Sequence, residues 1–126
     1  MPRPKPPQPF DPMGFLKVAQ DLASVGGEAQ LRAAVGRAYY ALFLLARGRT
    51  GAYPISKNQS PHSIVISAVG ASRGFAVANE LNQLKKPQIT ADYELMPTKP
   101  GEQDWATNWA RAQWLVGRLL PVLSSI

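Results

Sequence analysis

The chain contains no cysteine, and its 126 residues include a single histidine, His62. The missing thiols exclude disulfides, cysteine nucleophiles and cysteine-ligated zinc or iron–sulfur centres. A single histidine also excludes HExxH zinc sites and any centre that needs two or more histidines from one chain. We therefore expect neither a metal ion nor another cofactor.

Long apolar runs are also missing, since none approaches the ~18–20 residues that span a bilayer. The proline-rich start lacks the apolar core of an export signal, so we expect a cytoplasmic protein without membrane contact. The net charge of +6 permits contact with nucleic acid or another anion. It does not require such contact, because no long cluster of Lys and Arg accompanies it.

Prolines are concentrated at the N-terminus, where six of the twelve lie within residues 1–12. This composition is typical of an extended arm, either a disordered tail or a segment that lies along a partner chain. We assign residues 1–10 to this arm and residues 11–126 to one domain. The hydrophobic content of 45% suffices for a single core in a chain of this length.

Apolar residues recur at helical spacing through most of that domain, and no strand pattern persists. Asp11-Pro12 and Ser60-Pro61 are typical helix starts, a capping side chain followed by proline. Prolines 87, 97 and 100 argue against a long helix between 87 and 101, and Pro121 is expected to kink or end the last helix early. The sequence predicts an all-α bundle of four or five helices. The predicted helices cover residues 12–24, 28–47, 61–87 with a possible break at 72–74, and 102 to near the C-terminus.

The second predicted helix is apolar or aromatic on nearly all sides. One stripe runs from Leu31 to Leu45, and the opposite side carries Ala33, Tyr40 and Leu44. Such a helix is either central in the bundle or part of a subunit interface. We therefore predict self-association through the second side.

The same helix contains the most informative run of the chain, which reads R-A-A-V-G-R-A-Y-Y-A-L-F from Arg32 to Phe43. This run resembles the R-A-A-V-S-R-A-Y-Y-A-x-F helix of HEPN-domain proteins. His62-Ser-x-x-Ile66 and Ala91-Asp92-Tyr93 are similar to two further segments of that family, in the same order. The resemblance covers residues 13–123 and implies a HEPN-like helical bundle that commonly dimerises. The family includes RNases of toxin–antitoxin and other defence systems and partners of minimal nucleotidyltransferases.

The sequence departs from the catalytic members of that family at their R-x4–6-H motif. Their arginine and histidine, contributed by two protomers, meet in a cleft. At that spacing upstream of His62 this chain has Ile55, Ser56 and Lys57, none of which is arginine. Gln88 likewise stands at the family's arginine position before the A-D-Y segment. RNA cleavage by the standard HEPN arrangement is therefore not expected.

The catalytic candidates are Arg37, His62 and Asp92, and the ligand- or RNA-binding candidates are Arg37, Tyr40, Lys57, His62 and Tyr93. Each candidate carries an alternative. Arg37, if buried or half-buried, either pairs with Asp92 or a helix-end carbonyl, or holds a phosphate. His62 is either a neutral capping or solvent-facing side chain or part of a nucleotide or RNA site.

Two further groups of residues have a structural and a functional interpretation. We predict that Tyr39 is buried with its hydroxyl hydrogen-bonded, whereas Tyr40 lies in a dimer face or groove. Arg111 and Arg118 either form a solvated face or present charge to an acidic partner.

Two functional hypotheses follow. The first is a non-catalytic binding or assembly module, a homodimer or a subunit that docks onto a nucleotidyltransferase or another defence component. The second is an RNA-cleaving or RNA-binding toxin-like protein with a non-standard site.

Overall fold

The computed structural model describes residues 10–93 and 104–126, and the side chains of Asp92 and Tyr93 lie outside that description, as does most of the predicted N-terminal arm. The described residues form five helices and no strand, which confirms the all-α bundle. The helices are α1 (Met13–Val25), α2 (Glu28–Thr50), α3 (Pro61–Arg73), α4 (Phe75–Tyr93) and α5 (Trp105–Ser124).

Side-chain hydrogen bonds to backbone amides occur at three helix starts, two of them at the predicted residues Asp11 and Ser60. Ser60 is the N-cap of α3 as predicted, whereas the N-cap of α1 is Pro12, so that helix begins one residue later than predicted. The Met13 amide donates to the Asp11 carboxylate at 3.0 Å. The Ser60 hydroxyl accepts from the Ser63 amide, with Pro61 in the first helical position. Asp104 accepts from the Thr107 amide. These contacts satisfy backbone N–H groups that have no partner within the helix.

Helix α2 is the centre of the bundle and packs against each of the other four helices. Ten of its residues are buried, which explains why its sequence is apolar on most sides. On the opposite side of α2, Ala33, Tyr40 and Leu44 are half-buried. Self-association through this side stays a prediction.

The structure corrects the helix end predicted at Pro87 and the early end considered at Pro121. Helix α4 continues through Pro87 to Tyr93, six residues beyond the predicted end. Helix α5 likewise continues through Pro121 to Ser124, and the kink at Pro121 stays a prediction. Burial beyond each proline accounts for this, because Gln88, Ala91 and Leu123 are all within the core. Tertiary packing here outweighs the lost backbone hydrogen bond.

Arg32 connects α2 to the ends of α4 and α5. Its guanidinium lies 4.8 Å from the centre of the Trp105 ring and donates to the Ala91 carbonyl at 3.4 Å. Its Nη2 atom is 3.9 Å from the Glu28 carboxylate. Arg32, rather than Arg37, is thus the arginine of α2 that reaches the segment next to Asp92.

Candidate functional site

The Tyr39 side chain is fully buried on α2, as predicted, and its hydroxyl is hydrogen-bonded. Its oxygen lies 2.6 Å from Nδ1 of His62. Burial raises the pKa of the Tyr39 hydroxyl, and the neighbouring Tyr40 raises it further. Tyr39 therefore stays protonated at neutral pH and has an O–H to donate to the imidazole.

His62 lies in the first turn of α3 and packs against the aromatic side chains of α2. Its ring centre is 4.6 Å from that of Phe43 and 5.6 Å from that of Tyr39. Partial burial lowers the pKa of His62, and the positive charge of Lys85 on α4 lowers it further. His62 is therefore neutral at pH 7, because even an unperturbed histidine has a pKa of about 6.5.

A neutral imidazole has one acceptor nitrogen and one donor nitrogen. With Tyr39 as the donor, Nδ1 of His62 is the acceptor and the ring hydrogen is on Nε2; in the other tautomer, Nδ1 donates to the Tyr39 oxygen. A general base needs a free acceptor nitrogen within reach of the proton that it abstracts. Tyr39 engages Nδ1 in either tautomer, and with Tyr39 as the donor His62 keeps no free acceptor nitrogen.

The two aromatic residues that contact His62 lie on one face of α2, and Arg47 continues that face. Tyr39, Phe43 and Arg47 are spaced four residues apart, so they are neighbours along the helix. The Arg47 guanidinium lies 5.6 Å from the Phe43 ring centre and 5.2 Å from that of Tyr53. Neither Phe43 nor Arg47 was predicted as part of the site, although their i, i+4 spacing from Tyr39 was a usable signal.

Arg37 and Tyr40 lie together, but away from this histidine. They line a recess of about 170 Å³ with Ala33 and Gly36, which is smaller than the ~300–1,000 Å³ of typical ligand pockets. Arg37 is exposed, not buried or half-buried as considered above, and its guanidinium lies 5.2 Å from the centre of the Phe15 ring on α1. Arg37 is exposed because it lies at the surface where α1 and α2 meet, five residues beyond Arg32.

The remaining candidates are Lys57, Asp92 and Tyr93. Lys57 is exposed in the loop between α2 and α3. Asp92 and Tyr93 end α4, and the predicted pairing of Asp92 with Arg37 lies outside the described side chains. No group of three or more metal-ligating side chains occurs among residues whose placement is described. Within that same part of the chain, no helix is long and apolar enough to cross a membrane.

Two grooves flank α4. The α3–α4 groove extends from Phe75 past Ala78 to Lys85 and has an apolar floor with a polar rim. The α4–α5 groove, of about 430 Å³, is lined by Gln83, Lys86, Pro87, Thr90, Asn108 and Arg111. Both grooves are open to solvent, unlike the surroundings of Tyr39.

Comparisons with known proteins give no relative on which to base an assignment. No protein-family model matches the chain, and neither a curated protein nor a solved structure shows a significant match.

Proposed function

We propose that this chain is a non-catalytic, HEPN-like binding or assembly module, which dimerises or docks onto a protein partner such as a nucleotidyltransferase or another defence component. The resemblance of the α2 sequence to the HEPN helix motivates the class of protein. The observation that carries the proposal is the state of His62, whose Nδ1 atom lies 2.6 Å from the buried Tyr39 hydroxyl.

This hydrogen bond gives the only histidine of the chain a structural role. It connects the start of α3 to the centre of α2, between two aromatic rings. Metal-free RNA cleavage needs groups that move protons and groups that bind the phosphate. Tyr39 engages Nδ1 of His62, and the guanidinium of the candidate phosphate ligand Arg37 lies over Phe15 of α1.

Exposed apolar side chains support a role in binding another protein. Phe75, at one end of the α3–α4 groove, is 83% exposed, and Trp114 on α5 is 61% exposed. Large apolar groups beside open grooves are typical of sites where proteins interact. Both side chains lie on the outer surface, away from α2.

One observation favours the alternative, an RNA-cleaving or RNA-binding protein with a non-standard site. Lys85 is close enough to His62 to lower its pKa, so a cation and an imidazole do lie near one another. The two functions make opposite predictions for RNA cleavage.

The test of the proposal is incubation of the purified chain with single-stranded and hairpin RNA. We expect no cleavage by the wild type, by His62→Gln, or by Tyr39→Phe, which frees Nδ1 while keeping the ring. Thermal melts show which variants are folded. Cleavage by the wild type that is lost in a folded His62→Gln variant would contradict the proposal and favour the alternative.

Sedimentation equilibrium at micromolar concentration separates the two forms of the module. A dimer is expected if the chain assembles with itself. A monomer would eliminate the homodimer and leave docking onto a different protein. The variant Phe75→Ser tests whether such a dimer uses the α3–α4 groove. Replacing this exposed side chain should weaken that dimer without unfolding the monomer.

A further inference from the structure

The charged residues that line the α4–α5 groove have one sign only. Lys86 on α4 and Arg111 on α5 are its two charged side chains, and the other four lining residues are neutral. Both cations are exposed. Among residues 10–91 and 104–126, no carboxylate lies within 4.0 Å of either cation, the distance that defines an ion pair.

The next arginine of α5 shows what a carboxylate does at this surface. Arg118 lies two turns beyond Arg111, and its Nε and Nη2 atoms donate to the Glu80 carboxylate of α4 at 3.0 and 2.8 Å. This pairing lowers the pKa of Glu80. The α4–α5 surface therefore contains one arginine with an internal carboxylate and one that contacts no carboxylate among the described residues.

Among the residues that the structure describes, Arg111 makes one hydrogen bond, from Nη2 to Oε1 of Gln83 at 3.4 Å, which is long for a charged donor. A guanidinium has five N–H groups, and its fork matches a carboxylate with two parallel hydrogen bonds. Lys86 adds a second positive charge on the facing helix.

The number and order of charges distinguish between two kinds of anionic ligand. A nucleic acid strand gains affinity by neutralising several consecutive phosphates. Among the described residues, two cations line this groove, and the next arginine along α5, Arg118, is already paired with Glu80. A short segment with two or three carboxylates fits this spacing better, and the exposed Trp114, one turn from Arg111, offers an apolar contact beside it.

We propose that the α4–α5 groove binds an acidic segment of a partner protein, with Arg111 and Lys86 contacting its carboxylates. This inference rests on the proposed function as a binding module and names the chemistry of the partner. In this proposal Arg111 contacts a partner, whereas in the alternative given above it is only part of a solvated face.

The experiment measures binding of a fluorescently labelled octaglutamate peptide to the full chain by anisotropy at low salt. The test variant is the double substitution Lys86→Gln with Arg111→Gln. The matched control is Lys17→Gln with Arg49→Gln, which removes the same charge from exposed positions elsewhere. Thermal melts confirm that both double variants remain folded. The variant Arg111→Lys tests whether a positive charge without the guanidinium group is enough for binding.

The groove variant should weaken octaglutamate binding about five-fold, as expected for two solvent-exposed ion pairs. The control should change it less than two-fold, and Arg111→Lys should retain most of the affinity. Equal weakening by both double variants would mean non-specific attraction to a basic protein and would overturn the inference. Failure of octaglutamate to bind, or displacement of it by a more tightly bound octauridylate, would also overturn it.

These outcomes are independent of the test of the proposed function. His62-dependent RNA cleavage would contradict the module itself, whatever octaglutamate does. Loss of the groove effect without any cleavage would contradict only the assignment of this surface.

Discussion

The surroundings of His62 and the α4–α5 groove differ in how their polar groups are used. Around His62, the Tyr39 hydroxyl supplies the hydrogen bond and Phe43 covers the ring, while Arg47 stacks on the same aromatic group. In the groove, Lys86 and Arg111 face solvent and contact no described carboxylate. Residue types that suggest catalysis are thus internally satisfied, whereas an ordinary pair of surface cations is available.

This difference shows that residue type alone does not identify a functional site. A histidine, two aromatic residues and an arginine resemble the parts of an active site. Their mutual contacts give them structural roles, because each group already has its partner within the fold. The functional surface is better sought where complementary groups are missing.

The largest effect on stability is expected from Tyr39→Ala, at the His62 side of this comparison. Because Tyr39 is fully buried, removal of its ring should lower the free energy of unfolding by about 3–5 kcal/mol. Urea titration followed by circular dichroism measures this change. The matched control is Tyr40→Ala, the adjacent half-buried residue, which should cost about 1 kcal/mol. Equal costs would show that Tyr39 is not part of the central packing.

A smaller effect is expected at the start of α3. The Ser60 hydroxyl caps the helix that carries His62, so Ser60→Ala should lower the free energy of unfolding by about 1 kcal/mol. Thermal melts provide the measurement, with Ser67→Ala on the exposed surface of the same helix as the control. If Ser60→Ala were as stable as Ser67→Ala, the Ser60 hydroxyl would not stabilise α3.

The smallest expected effect is a pH dependence of stability that comes from His62. Its pKa is lower in the folded chain than its ordinary 6.5, so the unfolded chain binds the proton more readily. The contribution of His62 to stability is therefore present above about pH 6.5 and declines as pH falls through the folded pKa. Urea midpoints between pH 7.5 and pH 5 should decrease in the wild type.

The control for this dependence is His62→Gln, which cannot titrate. Its urea midpoint should change less across the same range, while the contribution of Glu80, whose pKa is also lowered, appears only at more acidic pH. A wild type and a variant with parallel profiles would show that the His62 environment does not disfavour the charged form.

Local rules predicted the helices well and failed where burial competes with them. The Ser60 cap and the hydrogen bond from the Met13 amide to Asp11 join near neighbours in the chain, so both can be predicted from the sequence. Helix continuation through Pro87 and Pro121 depends on buried residues further along, and single-sequence periodicity does not show which residues another helix will cover.

The candidate site could be predicted only in part. The burial of Tyr39 and the satisfaction of its hydroxyl follow from its position in the apolar stripe, but its partner His62 is 23 residues away. That contact depends on how α3 returns to α2. The sequence likewise could not predict that Arg32 contacts α4 and α5 whereas Arg37 is exposed beside α1. Those positions depend on which neighbouring helix each side of α2 meets.

The most direct test of the central claim is NMR of the imidazole of His62, which is unambiguous because the chain has one histidine. The account predicts a neutral ring with its hydrogen on Nε2 at pH 7 and a pKa below 6.5. Tyr39→Phe should change the Nδ1 resonance most. A pKa at or above 6.5, with an Nδ1 resonance unaffected by Tyr39→Phe, would contradict the structural role of His62.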